Sequence, residues 1–212
     1  MKPFVDIHTH KPLKESLQVA NFRLGTEQKP LAEPFSAGIH PWDAEQFYPT
    51  LDTICEQLTT LPCVAIGEIG LDRACSVPTE LQQEVFERQI IIAQERNLPI
   101  VIHCVKAYNE VAKTLSKYSL RGVVFHGFIG SEELCRNLTN NGYSISFGFG
   151  ALRSPKTIEA MRITPHEKLF LESDTSEQNI ADLYAQVAHV KGINIEALRE
   201  QIYNNYTKLF LL

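Results

Sequence analysis

The feature that most constrains the fold is a regular alternation of short apolar runs with longer amphipathic stretches along 212 residues. Residues 99–104 are almost continuously apolar, as expected of a strand buried on both faces. Residues 78–97 instead repeat apolar positions at helical spacing. Such alternation is typical of parallel α/β folds, and a (β/α)₈ barrel typically needs about 250 residues. The pattern predicts one domain over residues 1–212, a compact, distorted (β/α) TIM-type barrel.

The elements of this barrel are expected at defined positions, with one shortened unit between residues 11 and 35. Strands are predicted at residues 3–9, 17–22, 35–40, 63–71, 99–104, 122–128, 143–149 and 168–173. Helices are predicted at residues 43–61, 78–97, 108–116, 131–141, 180–190 and 195–206. Parallel strands end at the same edge of a sheet, so the side chains that follow them should be brought together.

Composition and charge restrict the function. The chain carries a net charge of −5 with neutral histidines, unlike a nucleic-acid binder that relies on a broadly basic surface. Any attraction for phosphate must therefore be local. The five cysteines form no C-x-x-C pair, which favours reduced thiols, and no apolar run is long enough to span a membrane. We expect a cytoplasmic protein without a membrane partner.

Ligand-type side chains follow six of the predicted strands. They are His8 and His10, His40, Glu68 and Asp72, His103, His126, and Glu172 and Asp174. Burying several polar groups together costs free energy unless they pair or bind metal. Taken singly, each has an ordinary alternative, such as a hydrogen-bonded core histidine, or a helix N-cap in the case of Asp174. Taken together, they predict a metal site.

The ligand types narrow the chemistry. Side chains two apart on a strand share a face, so His8 and His10 are able to bind one ion. Imidazole and carboxylate suit zinc or manganese better than calcium. Four histidines with two carboxylates are more than one open catalytic zinc takes. Two divalent ions are therefore expected, with Glu68 able to bridge them and Asp174 able to accept a proton from water.

The order and spacing of these motifs resemble the TatD-type metal-dependent deoxyribonucleases, within the amidohydrolase-like barrels. The matching segments cover nearly the whole chain: DIHTH at 6–10, GIHP at 38–41, GEIGLD at 67–72, LPIVIH at 98–103, HGF at 126–128, LESD at 171–174, and the closing segment 205–210. The resemblance implies a TIM barrel whose two-metal site hydrolyses phosphodiester bonds in DNA, often as an exonuclease.

The resemblance also implies a role for each ligand-type residue. One ion would be held by His8, His10 and Asp174, the other by His103 and His126, with Glu68 as the bridge. His40 would touch a substrate phosphate, and a hydrogen bond that fixes the strand-end turn is an equal interpretation of this residue. The resemblance suggests magnesium whereas the imidazoles favour softer ions, so zinc, magnesium and manganese all stay open.

Two departures from the family pattern concern the substrate and leave the metal ligands intact. Many members carry an arginine soon after the histidine that corresponds to His103. Here Lys106 would supply that positive charge, without the bidentate geometry of arginine. The loop after Asp174 is also shorter than usual. Asp72 and Glu172 are predicted to orient metal ligands through hydrogen bonds.

Other functions fit the same pattern less well. Amidohydrolases that cleave amides, lactones or phosphoesters often bridge their metals with a modified lysine, where this chain has Glu68. A single-metal deaminase needs a glutamate proton shuttle beside a histidine ligand, and the sequence places none there. A non-enzymatic metal-binding or scaffold protein with a decayed site is disfavoured, because all six predicted metal ligands are retained. We therefore expect a hydrolase that acts on DNA or another phosphodiester.

Overall fold

The computed structural model describes residues 1–12, 16–25 and 34–211, so the predicted shortened unit at 11–35 lies partly outside the described residues. In the described chain, eight strands form one sheet whose order follows the sequence, with parallel pairing. The strands are β1 (Val5–Thr9), β2 (Leu17–Arg23), β3 (Phe35–Gly38), β4 (Ala65–Asp72), β5 (Ile100–Val105), β6 (Val123–Phe125), β7 (Ser144–Phe147) and β8 (Leu169–Leu171). The predicted order of strands is confirmed.

Helices separate most of these strands, as predicted. They are α1 (Ala44–Phe47), α2 (Leu51–Thr60), α3 (Thr79–Glu95), α4 (Tyr108–Leu115), α5 (Glu132–Asn140), α6 (Pro155–Ile163), α7 (Ile180–Lys191) and α8 (Ile195–Tyr206), with a π-helical turn at Thr207–Leu211. The Ser131 side chain caps α5 by accepting from the Leu134 N–H at 3.3 Å. Among the helices described, none is long and apolar enough to cross a membrane.

Two helix predictions need correction. The single helix predicted at 43–61 is divided into α1 and α2 by a 3-10 turn at Tyr48–Thr50. Pro49 lies in this turn. Proline has no backbone N–H to donate to an α-helical hydrogen bond, and its ring clashes with the carbonyl of the preceding helical turn. The sequence analysis also missed α6, although Pro155 stands in the first turn of that helix, where proline is favoured.

The contacts between residues divide the chain into two compact units. The first unit combines Met1–Ala20 with Val124–Leu212, and contains β1, β6, β7, β8 and the helices α5 to α8. The second unit, Asn21–Val123, contains β3, β4, β5 and the helices α1 to α4. The expectation of a single domain stays a prediction.

In the first unit, the backbone that follows β8 runs beside the end of β1. Thr9 and Asp174 form a parallel bridge. The Asp174 N–H donates to the His8 carbonyl at 3.0 Å, and the His10 N–H donates to the Asp174 carbonyl at 2.9 Å. These backbone bonds fix three of the predicted ligand residues relative to one another before any side chain is considered.

In the second unit, two buried glutamines of α3 hold the ends of two strands. The Gln89 side chain accepts from the Ile39 N–H at 2.7 Å and donates to the Ile39 carbonyl at 3.2 Å. The Gln82 side chain does the same for Asp72, at 2.7 and 3.0 Å. Since side-chain amides supply both a donor and an acceptor, each glutamine satisfies the backbone at the carboxyl end of β3 or β4.

Tyr184 of α7 gives a test of how β1 is held. Its buried hydroxyl accepts from the Val5 N–H at 3.1 Å and donates to the Val5 carbonyl at 2.9 Å. Tyr184→Phe leaves both backbone groups unsatisfied, so we expect the free energy of unfolding in urea to fall by about 1–3 kcal/mol. Tyr203→Phe, on the half-buried face of α8, is the matched control. Equal stability of the two variants would contradict this account.

Candidate metal and active site

A first group of ligand atoms lies at the carboxyl end of β1 in the first unit. His8 Nε2 lies 3.8 Å from Asp174 Oδ1, and His10 Nε2 lies 3.7 Å from the same oxygen. One ligand atom from each of the three residues lies within 4.8 Å of the other two. The separations exceed hydrogen-bond length. They suit two ligands that share an ion about 2.0–2.2 Å from each. The donor set therefore fits a divalent metal.

Asp174 is held in an unusual backbone conformation. Its φ is +54°, in the left-handed region that few residues other than glycine adopt. Such strain persists where the surroundings impose it, and here the backbone bonds to β1 do so. The N-cap interpretation of Asp174 is wrong, because Asn179 caps α7 by accepting from the Ala181 N–H at 2.9 Å. The carboxylate of Asp174 is left for another role.

His126 lies beside this group, and Glu172 contacts it. The His126 ring centroid is 4.2 Å from that of His8, and His126 Nδ1 is 3.2 Å from Glu172 Oε1. The same oxygen accepts from the Gly127 N–H at 2.6 Å. Glu172 is fully buried, so its carboxylate holds both the imidazole and the turn after β6 in place.

Asp6 is a site residue to which the sequence analysis assigned no role. Its carboxylate accepts from the Ser173 N–H at 3.0 Å, the Ser173 hydroxyl at 2.6 Å and the His8 N–H at 3.3 Å. Burial raises the pKa of Asp6 to about 7, against the effect of these hydrogen bonds. A signal was present, since Asp6 is a charged residue inside the apolar β1.

A second group lies in the second unit and consists of His40, Glu68 and His103. Glu68 Oε1 is 2.7 Å from His103 Nδ1 and 3.4 Å from His40 Nε2, and the two histidine nitrogens are 3.3 Å apart. Their donor atoms form a second set able to hold a metal ion. Burial lowers the pKa of His40, which favours the neutral imidazole that binds metals.

His40 also fixes the turn after β3, as one of its two interpretations proposed. Its Nδ1 accepts from the Trp42 N–H at 3.1 Å and caps the 3-10 turn that begins at Pro41. Because this bond uses only one ring nitrogen, Nε2 stays directed toward Glu68. A neutral imidazole whose Nδ1 accepts carries its proton on Nε2, so in this arrangement Nε2 donates toward Glu68, and His40 would ligate a metal through Nε2 only after giving up the Trp42 bond.

Asp72 connects this second group to Trp42. Asp72 Oδ2 is 3.1 Å from His103 Nε2 and accepts from the Trp42 indole N–H at 2.7 Å. Burial acts to raise the pKa of Asp72, but hydrogen bonds from Trp42, the Ala74 N–H and His103 outweigh it and hold that pKa below its usual value. An ionised Asp72 is thus placed to orient His103.

Asn21 contacts Glu68 in this second group, and its role was not predicted from the sequence. Its Oδ1 accepts from the Glu68 N–H at 3.1 Å, and its Nδ2 donates to Glu68 Oε2 at 3.4 Å. Lys106 stands apart, on an exposed turn after β5 with a φ of +54°. Among the residues described, no hydrogen bond or ion pair engages its ammonium group.

Comparison with known proteins decides the family. The family model for TatD related DNase matches residues 26–211. The chain belongs to this family. This TatD-family chain is 30% identical over 199 residues to the 3′-5′ ssDNA/RNA exonuclease TatD of Pantoea ananatis, with 82% of this chain and 76% of that protein covered. It is 31% identical over 194 residues to the uncharacterized metal-dependent hydrolase YabD of Bacillus subtilis, with 82% and 75% covered.

Solved structures show the same fold for this TatD-family chain. A TatD family hydrolase from Entamoeba histolytica aligns with a TM-score of 0.82 at 18% identity, over 99% of this chain and 98% of that one. The TatD homologue YjjV of Escherichia coli gives 0.82 at 22% identity, with the same coverage. The predicted fold, a compact TIM-type α/β barrel, and the predicted enzyme class, a metal-dependent hydrolase, are confirmed.

The contact of Glu172 with His126 gives a test within this TatD-family site. Glu172→Gln removes the charge that orients the imidazole, so we expect affinity for a divalent ion to fall by about 10- to 100-fold. Calorimetric titration of the metal-depleted protein with zinc or manganese measures the change. Glu133→Gln on exposed α5 is the control. Affinities that match the control would show that Glu172 serves the turn alone.

Proposed function

We propose that this chain is a two-metal phosphodiesterase that hydrolyses single-stranded DNA or RNA, as an exonuclease. The observation that carries the proposal is the pair of histidine–carboxylate groups, one in each unit, at the carboxyl ends of the strands. The Pantoea ananatis relative, named a 3′-5′ ssDNA/RNA exonuclease, supports the substrate class. Its name also favours attack from the 3′ end.

The residues that would hold the metals divide between the two groups. His8, His10 and Asp174 would bind one ion, while Glu68 and His103 would bind the second. His126 as a further ligand and Glu68 as a bridge belong to the same proposal. Two bound divalent ions would lower the pKa of a water and neutralise charge on phosphate oxygens. Zinc, manganese and magnesium are the metals to compare, since imidazoles favour the first two.

Asp174 is the residue we propose to remove the proton from the attacking water. Its side chain is 40% exposed, whereas His8 beside it is fully buried, so the carboxylate faces the side from which a substrate arrives. The backbone bonds to β1 fix its direction. A general base must lie within hydrogen-bond reach of the proton that it takes, and this rigidity provides the positioning.

Substrate recognition would be local, because the chain carries a net charge of −5. We propose that His40 and Lys106 contact substrate phosphates in the second unit, with Lys106 as a point charge. All five cysteines are free, and burial raises the pKa of Cys104 to about 12, so this thiol is unreactive. Free thiols fit a reducing compartment, and we propose the cytoplasm.

The first test uses Asp174→Asn, which keeps the size of the side chain but removes its basicity. Turnover of a short single-stranded DNA is measured after chelation and re-addition of zinc, manganese or magnesium. We expect turnover to fall by about 10²- to 10⁴-fold. Asp182→Asn, in the exposed first turn of α7, should retain full activity. Near-native hydrolysis by Asp174→Asn would exclude this residue from the mechanism.

The second test concerns Glu68 and the number of metals. Glu68→Gln replaces the carboxylate that contacts both His40 and His103 by a neutral amide. We therefore expect the number of bound metal ions to fall from about two per chain toward one. Elemental analysis after dialysis at limiting metal measures the ratio, with Glu95→Gln on exposed α3 as the control. Two ions retained with unchanged affinity would rule out the bridging role.

A further inference from the structure

We propose that a cavity beside Asp174 is a subsite for one nucleotide of the substrate, in which Arg153 binds the phosphate. The inference rests on the proposed function and adds a recognition site to it. The cavity lies wholly in the first unit and has a volume of about 430 Å³. Its wall includes Gly127, Ile129, Phe149, Arg153, Glu172 and Asp174. Its size falls in the range of small-molecule sites.

Arg153 differs from the other arginines of the first unit. Arg136, Arg162 and Arg199 each form an ion pair with a glutamate on their own helix. Arg153 ends the 3-10 turn Phe149–Arg153 and is exposed, and no described residue forms a hydrogen bond or ion pair with its guanidinium. An unengaged guanidinium beside a metal ligand is suited to bidentate binding of a phosphate.

The cavity lining also includes apolar side chains. Ile129 is 46% exposed, and Phe149 lies in the same wall. A side chain added at Gly150 would meet only the Ile129 Cδ1, at 3.9 Å, so the glycine leaves room above this surface. A sugar or base is able to pack on Ile129 while its phosphate reaches Arg153.

Glu172 lies in the wall of the cavity. Its Oε1 accepts from the Gly127 N–H, and its Oε2 is buried and has no hydrogen-bond partner in the described part of the chain. Because that oxygen is buried, Glu172 shapes the cavity through the Gly127 turn and leaves the phosphate contact to Arg153.

The experiment measures binding apart from hydrolysis. The metal-loaded enzyme is titrated against a labelled phosphorothioate oligothymidylate, which keeps the backbone charge and resists cleavage, at several salt concentrations. We expect Arg153→Ala to weaken binding by about tenfold and to reduce the slope of log affinity against log salt by about 0.7, as for one lost contact with single-stranded phosphate. Arg153→Lys should keep the slope but lose part of the affinity.

Two further variants separate charge from shape. Gly150→Leu fills the cavity without removing Arg153, so it should weaken binding with little change in the salt slope. Arg162→Ala removes an exposed arginine outside the cavity and should bind as the wild type does. Hydrolysis of bis(4-nitrophenyl) phosphate, which lacks a nucleotide, should be unchanged in Arg162→Ala, which shows that the control variant keeps its catalytic centre.

The outcomes distinguish this subsite from the proposed function. Arg153-dependent binding by an enzyme that does not cleave DNA would retain the subsite and overturn the phosphodiesterase. Cleavage of DNA with unaltered affinity and salt slope in Arg153→Ala would overturn the subsite alone. Failure of the wild type to bind the oligonucleotide would overturn both.

Discussion

The buried carboxylate of Asp6 is the interaction on which the His8–His10–Asp174 group of the first unit depends. It joins β1 to the segment after β8 by accepting three hydrogen bonds, two from Ser173 and one from the His8 N–H. Together with the backbone bonds between β1 and Asp174, these hydrogen bonds hold the segment in which Asp174 keeps a φ of +54°. Burying this carboxylate costs free energy and raises the pKa of Asp6. In return, its hydrogen bonds hold the backbone of His8 close to Ser173, the residue before Asp174.

The His40–Glu68–His103 group of the second unit is held in the same way by different partners. Buried glutamines fix the backbone at the ends of β3 and β4, while Asn21 and Asp72 hold Glu68 and His103 from behind. A ligand whose outer atoms are already hydrogen-bonded loses little conformational entropy when it takes up an ion. Each of the two groups is thus a fixed set of metal-ligand atoms that neighbouring polar side chains hold by hydrogen bonds.

The sequence predicted what depends on strand ends and missed what depends on packing between segments. His8 and Asp174 could be predicted because each lies near the carboxyl end of a predicted strand. Asn21 is polar within a strand, and nothing in its neighbourhood shows that it faces Glu68. Arg153 lies in a 3-10 turn before α6, a helix that the periodicity did not reveal. Its place beside Asp174 arises from the course of the chain after β7, which no local pattern contains.

The residues proposed to hold the metals and those proposed to bind the substrate lie on different kinds of backbone. The metal-type residues stand on strands or within three residues of a strand end, where backbone hydrogen bonds restrict their geometry. Arg153, Ile129 and Lys106 stand on turns, where a substitution alters a contact without disturbing a donor set. The proposed phosphate contact at Arg153 can therefore vary without altering the histidine and carboxylate groups that we propose to hold the metals.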